Sequence, residues 1–148
     1  MAEAEPVRAA ALRLLAGREH SVVELTRKLR LKGHEAAEVE QVAQALLKEG
    51  LLSDERFVEA FVRSRIERGS GPVRIRVELA ARGIDEAAAG AHLDLSQARW
   101  RELAESARGK RFGAVQPREF KERARQARFL EYRGFTAEQI RAVLDADD

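Results

Sequence analysis

The sequence predicts an all-α protein organised as three tandem three-helix repeats that form an elongated, curved helical array. Apolar residues recur at three- and four-residue spacing through nearly the whole chain, and no convincing alternating strand interrupts them. The composition is 45% hydrophobic and 35% charged over 148 residues, with only three prolines and an abundance of Ala, Leu, Arg and Glu, which favour helix. One motif also occurs three times, as Leu29-x-x-Lys32-Gly33, Leu79-x-x-Arg82-Gly83 and Leu130-x-x-Arg133-Gly134, with its glycines 50 and 51 positions apart.

Each copy of the motif reads as a helix end. The leucine packs the last turn, the cation faces the carbonyl end of the helix dipole, and the glycine takes a left-handed cap. One bridging residue follows, His34, Ile84 or Phe135, and then another helix. The expected units are residues 1–50, 51–95 and 96–148, with Gly33, Gly83 and Gly134 as structural turns.

In the first unit, Pro6 precedes a short helix over Val7 to Ala16 with Ala10, Ala11, Leu14 and Leu15 inward. Ser21-Val22-Val23-Glu24 has the form of a capping box and opens a second helix that runs to Leu31 or Lys32. A third spans Glu35 to Lys48, with Val39, Val42, Ala43, Leu46 and Leu47 inward.

The middle unit holds the centre of the chain, Ser53 to Gly83. Phe57, Val58, Phe61, Val62 and Ile66 cover a wide arc of one helix, which predicts burial on two sides. Arg65 falls inside that arc, so it needs an acidic partner or a route to water. Gly69-Ser70-Gly71-Pro72 ends this helix and places Pro72 at the start of the next, making Gly69, Gly71 and Pro72 further structural turn residues. On that next helix Val73, Val77, Ala80 and Ala81 form an apolar strip expected to face the core, with Arg74, Glu78 and Arg82 on the solvent side. A helix with Ala89 and Leu93 inward completes the unit.

In the third unit Ser96 caps a helix with Trp100, Leu103, Ala104 and Ala107 inward, which breaks around Gly113 to Pro117. The following helix runs to Arg133 with Phe120, Ala124 and Ala127 toward the core. Thr136-x-x-Gln139, another capping box, opens a last helix with Ile140 and Val143 inward that ends among Asp145, Asp147 and Asp148.

The run Ser53-Asp54-Glu55-Arg56-Phe57, then Arg65, then Gly69-x-Gly71-Pro72-x-Arg74-Ile75, ending Leu79-x-x-Arg82-Gly83, resembles the RecX family of recombinase regulators. The resemblance extends upstream through Ala11-Leu12-x-x-Leu15-Ala16-x-Arg18-Glu19 and Glu24-Leu25-x-x-Lys28-Leu29-x-x-Lys32-Gly33. It covers most of the chain, fading before Ala9 and weakening after about Leu95. It implies a non-enzymatic regulator, mainly an inhibitor, of RecA recombinase. Such a protein binds the RecA filament on single-stranded DNA and modulates its ATPase, strand-exchange and coprotease activities in recombinational repair and the SOS response.

The residues themselves offer little for catalysis. His20, His34 and His92 each lack a second ligand at helical spacing, and are expected at the surface or its boundary. Without cysteine there are neither disulfides nor thiolate metal sites. Gly109-Lys110 lacks the upstream glycine and the following Ser or Thr of a phosphate loop. No catalytic residue, metal or cofactor is therefore expected. With no apolar run of membrane-spanning length and no signal-peptide layout at the start, a soluble cytoplasmic protein, monomeric when free, is the expectation.

The formal charge is only +2, yet the 27 basic residues leave room for locally basic faces. Two clusters are candidate partner-binding sites. Arg63, Arg65, Arg68, Arg74 and Arg76 surround the glycine turn, where they either meet a partner or fix the junction between units. Arg118, Lys121, Arg125 and Arg128 fall on one face with Tyr132, as either a contact surface for an acidic partner or a solvated face balanced by neighbouring helices. A helix-turn-helix DNA-binding regulator is the alternative function. The helices after the three glycines are alanine-rich and acidic or nearly neutral, which counts against base-specific reading.

Overall fold

The structure is a computed structural model and describes residues 5–145. Among these there are nine helices and no strand. They are α1 (Val7–Gly17), α2 (Val22–Leu31), α3 (Ala36–Lys48), α4 (Asp54–Glu67), α5 (Pro72–Ala81), α6 (Glu86–His92), α7 (Gln97–Phe112), α8 (Phe120–Arg133) and α9 (Ala137–Leu144). Consecutive triplets pack against one another, giving the expected three-helix units. Asp147 and Asp148, expected near the end of the last helix, lie outside the described residues. No described helix is long and apolar enough to cross a membrane.

The repeated motif behaves as one device. Leu29, Leu79 and Leu130 are all fully buried, and Gly33, Gly83 and Gly134 all have positive φ. After each glycine the next amide reaches back to the leucine carbonyl, from His34 to Leu29, Ile84 to Leu79 and Phe135 to Leu130. The glycine amides bond the carbonyls of Arg30, Ala80 and Glu131, completing three Schellman caps.

The three units make two cores. Val7, Ala10, Ala11, Leu25, Leu29, Val39, Ala43, Leu46 and Leu52 form one around the first unit. The second and third units share the other, in which Phe57, Val62, Ile75 and Leu79 meet Trp100, Ala104, Leu130 and Val143. The Trp100 indole N–H also crosses the boundary between them to the Leu93 carbonyl at 3.3 Å.

The units join end to end through their middle helices. The free amides at the start of α5 are satisfied by carbonyls at the end of α8: Gly71 N–H donates to Arg133 at 2.8 Å and Val73 N–H to Gly134 at 2.9 Å. At the other joint, Ser21 Oγ donates to the Arg82 carbonyl (2.8 Å), Arg27 Nη1 donates to the Ala81 carbonyl (2.7 Å), and Asp54 Oδ1 accepts from Val22 N–H (2.8 Å). The end of α5 thus sits on the start of α2, as the end of α8 sits on the start of α5.

Several expectations need correction. On α5 the core side is Pro72, Ile75 and Leu79, while Val73, Val77, Ala80 and Ala81 are exposed. On α8 the buried residues are Gln126 and Leu130, and Phe120 is 85% exposed because it stands in the first turn, ahead of the part of the helix that meets the core. Thr136 and Gln139 form a complete capping box. Ser21 makes only half of one: its hydroxyl accepts from Glu24 N–H, but the Glu24 carboxylate is drawn instead to Arg18 at 2.7 Å. His20 is buried rather than at the surface.

Candidate binding surface

Charged side chains gather where the units join. Arg65, near the end of α4, has the acidic partner its position demanded: its Nε lies 2.8 Å from Glu78 Oε2 on α5. Glu78 also receives Arg74 Nε at 3.3 Å, so one carboxylate holds two guanidinium groups. Arg65 and Arg82 each lie over the Phe61 ring, 4.4 and 4.8 Å from its centroid. Arg82 meets two further oxygens, the Glu78 carbonyl at 2.9 Å and Glu24 at 3.8 Å.

Glu24 links Arg18 of the first unit to Arg82 of the second. Burial opposes its charged form, but the hydrogen bond and charge of Arg18 outweigh that and hold its carboxyl below the usual carboxylate range. Beside it, His20 Nδ1–H donates to the Arg18 carbonyl (3.0 Å), which leaves Nε2 to accept from Lys28 Nζ (2.9 Å). Burial pushes the His20 pKa down, and the Arg18 and Lys28 charges add to the effect.

Around the end of α4 these groups line three clefts that share Arg68. One of about 420 Å³ includes Arg18, Phe61, Arg65 and Arg82. A second, of about 390 Å³, includes Arg65, Ser70, Arg74, Tyr132 and Arg133. A third, of about 250 Å³, includes Lys110, Arg111 and Arg133. Arg133 Nη1 donates to the Arg68 carbonyl at 2.8 Å, tying the third unit to the second.

The structure therefore brings Arg65, Arg68, Arg74 and Tyr132 to one cleft, with the Arg74 guanidinium 5.2 Å from the Tyr132 ring centroid. Arg63 and Arg76 line none of these three clefts. Arg63 pairs with Glu59 at 3.2 Å along α4. Arg76 Nε is 3.0 Å from Glu86 Oε1 but is not aimed at it, and it makes no hydrogen bond.

On α8, Lys121, Arg125, Arg128 and Tyr132 are all exposed. Arg118 precedes the helix, which starts at Phe120 with Glu119 as its N-cap, so it does not share the helical face. A carboxylate does intervene on that face, since Glu122 accepts from Arg125 Nη1 at 3.0 Å.

Sequence reasoning missed Arg18, Arg82 and Arg133 as cleft residues because their place beside helix ends already explained them. It also missed Arg108, whose side chain is wholly buried on α7. Arg108 Nη2 donates to Glu105 Oε1 at 2.7 Å and Nη1 to Gln126 Oε1 at 3.2 Å. The carbonyls of Val115 and Ala114, at 3.4 and 3.5 Å, fasten the α7–α8 loop to the same head group. Its position was a signal, since Trp100, Ala104 and Arg108 form one i, i+4 line. Among the described residues no cluster of His, Cys, Asp or Glu could hold a metal ion. What the geometry provides is a cationic, aromatic-edged surface suited to binding.

Models of the RecX family match the chain three times: the first three-helix domain over residues 8–46, the second over 53–93 and the third over 100–144. The regulatory protein RecX of Halorhodospira halophila is 50% identical over 147 residues, covering 99% of this chain and 91% of its own. This chain belongs to the RecX family. The regulatory protein RecX of Pseudomonas fluorescens strain SBW25 is 44% identical over 142 residues, covering 96% and 92%. The fold matches a crystal structure of RecX from Lactobacillus salivarius at a TM-score of 0.77 and 20% identity, over 95% of this chain and 93% of that one. A second RecX crystal structure also gives 0.77, at 23% identity, over 94% and 72%. The Halorhodospira and Pseudomonas relatives carry the name of a regulatory protein.

Proposed function

We propose that this RecX-family chain regulates, mainly by inhibition, a RecA-type recombinase by binding its filament on single-stranded DNA. In this reading it modulates the filament's ATPase, strand-exchange and coprotease activities during recombinational repair and the SOS response. The chain acts in the cytoplasm, as a monomer when free, through units divided at 50/51 and 95/96. No bond chemistry by the chain itself is required. Occupying the filament is enough to block or destabilise it.

The observation that carries the reading is the row of exposed cations Lys121, Arg125 and Arg128 on α8, continuous through Tyr132 and Arg74 with the basic cleft around Arg65 and Arg68. A protein assembled from successive units can touch successive subunits of a polymer through many weak contacts, which together hold firmly.

The test compares K121E/R125E/R128E with R8E/R13E/K48E, an equal change of charge on the first unit. Arg8 and Arg13 pair with Glu49 and Glu5 at exposed sites, so their reversal disturbs only weak surface pairs. Binding to recombinase filaments and inhibition of their ATPase should fall strongly in the first variant alone, with helicity kept in both. Equal losses would reduce the stripe to a net-charge effect, and no loss in either would remove it from the interface.

A further inference from the structure

We propose that the outer face of α5, formed by Val73, Val77, Ala80 and Ala81, is a docking strip for an apolar ridge flanked by acidic side chains on a protein partner. Under the filament reading above, on which this inference rests, that ridge belongs to a recombinase subunit.

The strip lies on the side of α5 away from the core. Val77 is 66% and Val73 46% accessible, and the neighbouring Ala80 and Ala81 are exposed too. The repeat provides its own control. The positions of Val73, Val77, Ala80 and Ala81 correspond in register to Val23, Arg27, Arg30 and Leu31 on α2 and to Ala124, Arg128, Glu131 and Tyr132 on α8, so the charged counterparts fall at Val77 and Ala80. Charged side chains are thus compatible with this face of a unit, and Arg is a better helix former than Val. Val77, exposed where both other units carry arginine, therefore serves neither helix formation nor the core, and Val73 extends the apolar surface one turn toward the α8 joint.

The surroundings indicate what covers them. Two guanidinium groups of α5 are engaged elsewhere, Arg74 with Glu78 and Arg82 with the Glu78 carbonyl and Glu24, and the third, Arg76, stands close to Glu86 without a hydrogen bond from its Nε. The middle of the strip is therefore uncharged. Its ends are not. Arg27 reaches the Ala81 carbonyl from α2, and Tyr132 of α8 lies beside Arg74, with Arg128 one turn back from that tyrosine. Cations at both ends of an apolar centre complement an apolar ridge with carboxylates on either side.

A nucleic acid fits less well, because the strip itself offers neither charge to phosphates nor an aromatic face to bases. A second copy related by a two-fold axis would bring like-charged ends together.

The experiment measures binding of the full chain to recombinase filaments on single-stranded DNA, across a salt series, for the wild type, V73T/V77T and V73K/V77K. The threonine variant keeps shape and charge while removing apolar surface, and circular dichroism checks its fold. Its affinity should fall by about tenfold or more with an unchanged salt slope. Unchanged affinity would overturn the strip. Stronger binding of V73K/V77K to naked single-stranded DNA, with filament affinity unchanged, would transfer the face to nucleic acid. Wild-type self-association abolished by V73T/V77T, again with filament affinity unchanged, would assign the face to a second copy. If the wild type itself fails to bind filaments, the function proposed above falls, and the recombinase ridge falls with it as occupant.

Discussion

Val23, in the first turn of α2, packs directly against Gly83, the glycine that closes α5 in the next unit. A Cβ on Gly83 would overlap the Val23 side chain, and one on Gly134 would overlap Arg74 at the start of α5. Gly33 performs the same capping turn, yet a Cβ there would meet nothing within 4 Å. The repeat thus gives three glycines with the same backbone duty and two with an additional packing duty.

Gly33→Ala should lose only the backbone term, about 1–2 kcal/mol for a left-handed non-glycine residue. Gly83→Ala and Gly134→Ala should lose more, because the neighbouring helix start must also move. Denaturant unfolding of the three variants measures the order, and Val23→Ala should recover part of the Gly83→Ala loss in a double-mutant cycle. Equal losses at all three glycines would remove the packing role.

Replacing Arg108 by Met keeps most of its buried stem but strips Gln126 and the loop carbonyls of Ala114 and Val115 of their donor. A loss of about 2–4 kcal/mol is expected, between that of an unsatisfied buried polar group and that of a broken buried ion pair. Chemical denaturation provides the number. Amide exchange should also quicken through Gly113 to Pro117, and a variant with neither effect would show that the loop has other anchors.

Acid should weaken the first joint through His20. Its folded pKa is depressed by burial and by the Arg18 and Lys28 cations, with Glu24 the opposing charge. The unfolded chain therefore takes up this proton first, and the stabilisation, present above the ordinary value of about 6.5, is lost as pH falls below it. The stability difference between pH 7.5 and 5.5 should be larger in the wild type than in His20→Gln. Identical pH profiles would show that His20 titrates freely.

The two separate cores predict two cooperative blocks. Native-state hydrogen exchange should group α1 to α3 apart from α4 to α9, since only the latter six share one apolar cluster. A destabilising change confined to the first core, such as Leu46→Ala, should raise exchange in the first block well before the second. Uniform acceleration over all nine helices would indicate that the polar joint couples the blocks fully.

The fold was legible because the helix ends are written in local chemistry. Ser21, Ser96 and Thr136 cap, Pro72 starts α5, and the Schellman glycines stop α2, α5 and α8, all from contacts within a few residues. Even the need of Arg65 for a carboxylate could be read from its helical position. The facing of α5 could not, because Ile75 and Leu79 compete with Val73 and Val77 as equally spaced apolar pairs, and only the neighbouring unit decides between them. Arg108 was missed for a related reason: a buried guanidinium depends on Gln126 and loop carbonyls that are distant in sequence or without side-chain identity. The basic clefts similarly collect cations from different units, which no single-helix pattern displays.

The end-to-end seating of α8 on α5 and of α5 on α2 always places a carbonyl terminus against an amide terminus. Such a series has an arrow. Reversing the molecule exchanges the capped carbonyl end of α2, at Gly33, for the amide end of α8, at Phe120, so the two ways of laying it along a track with its own polarity are not interchangeable. A directional polymer would therefore meet a different kind of helix terminus in each of the two orientations.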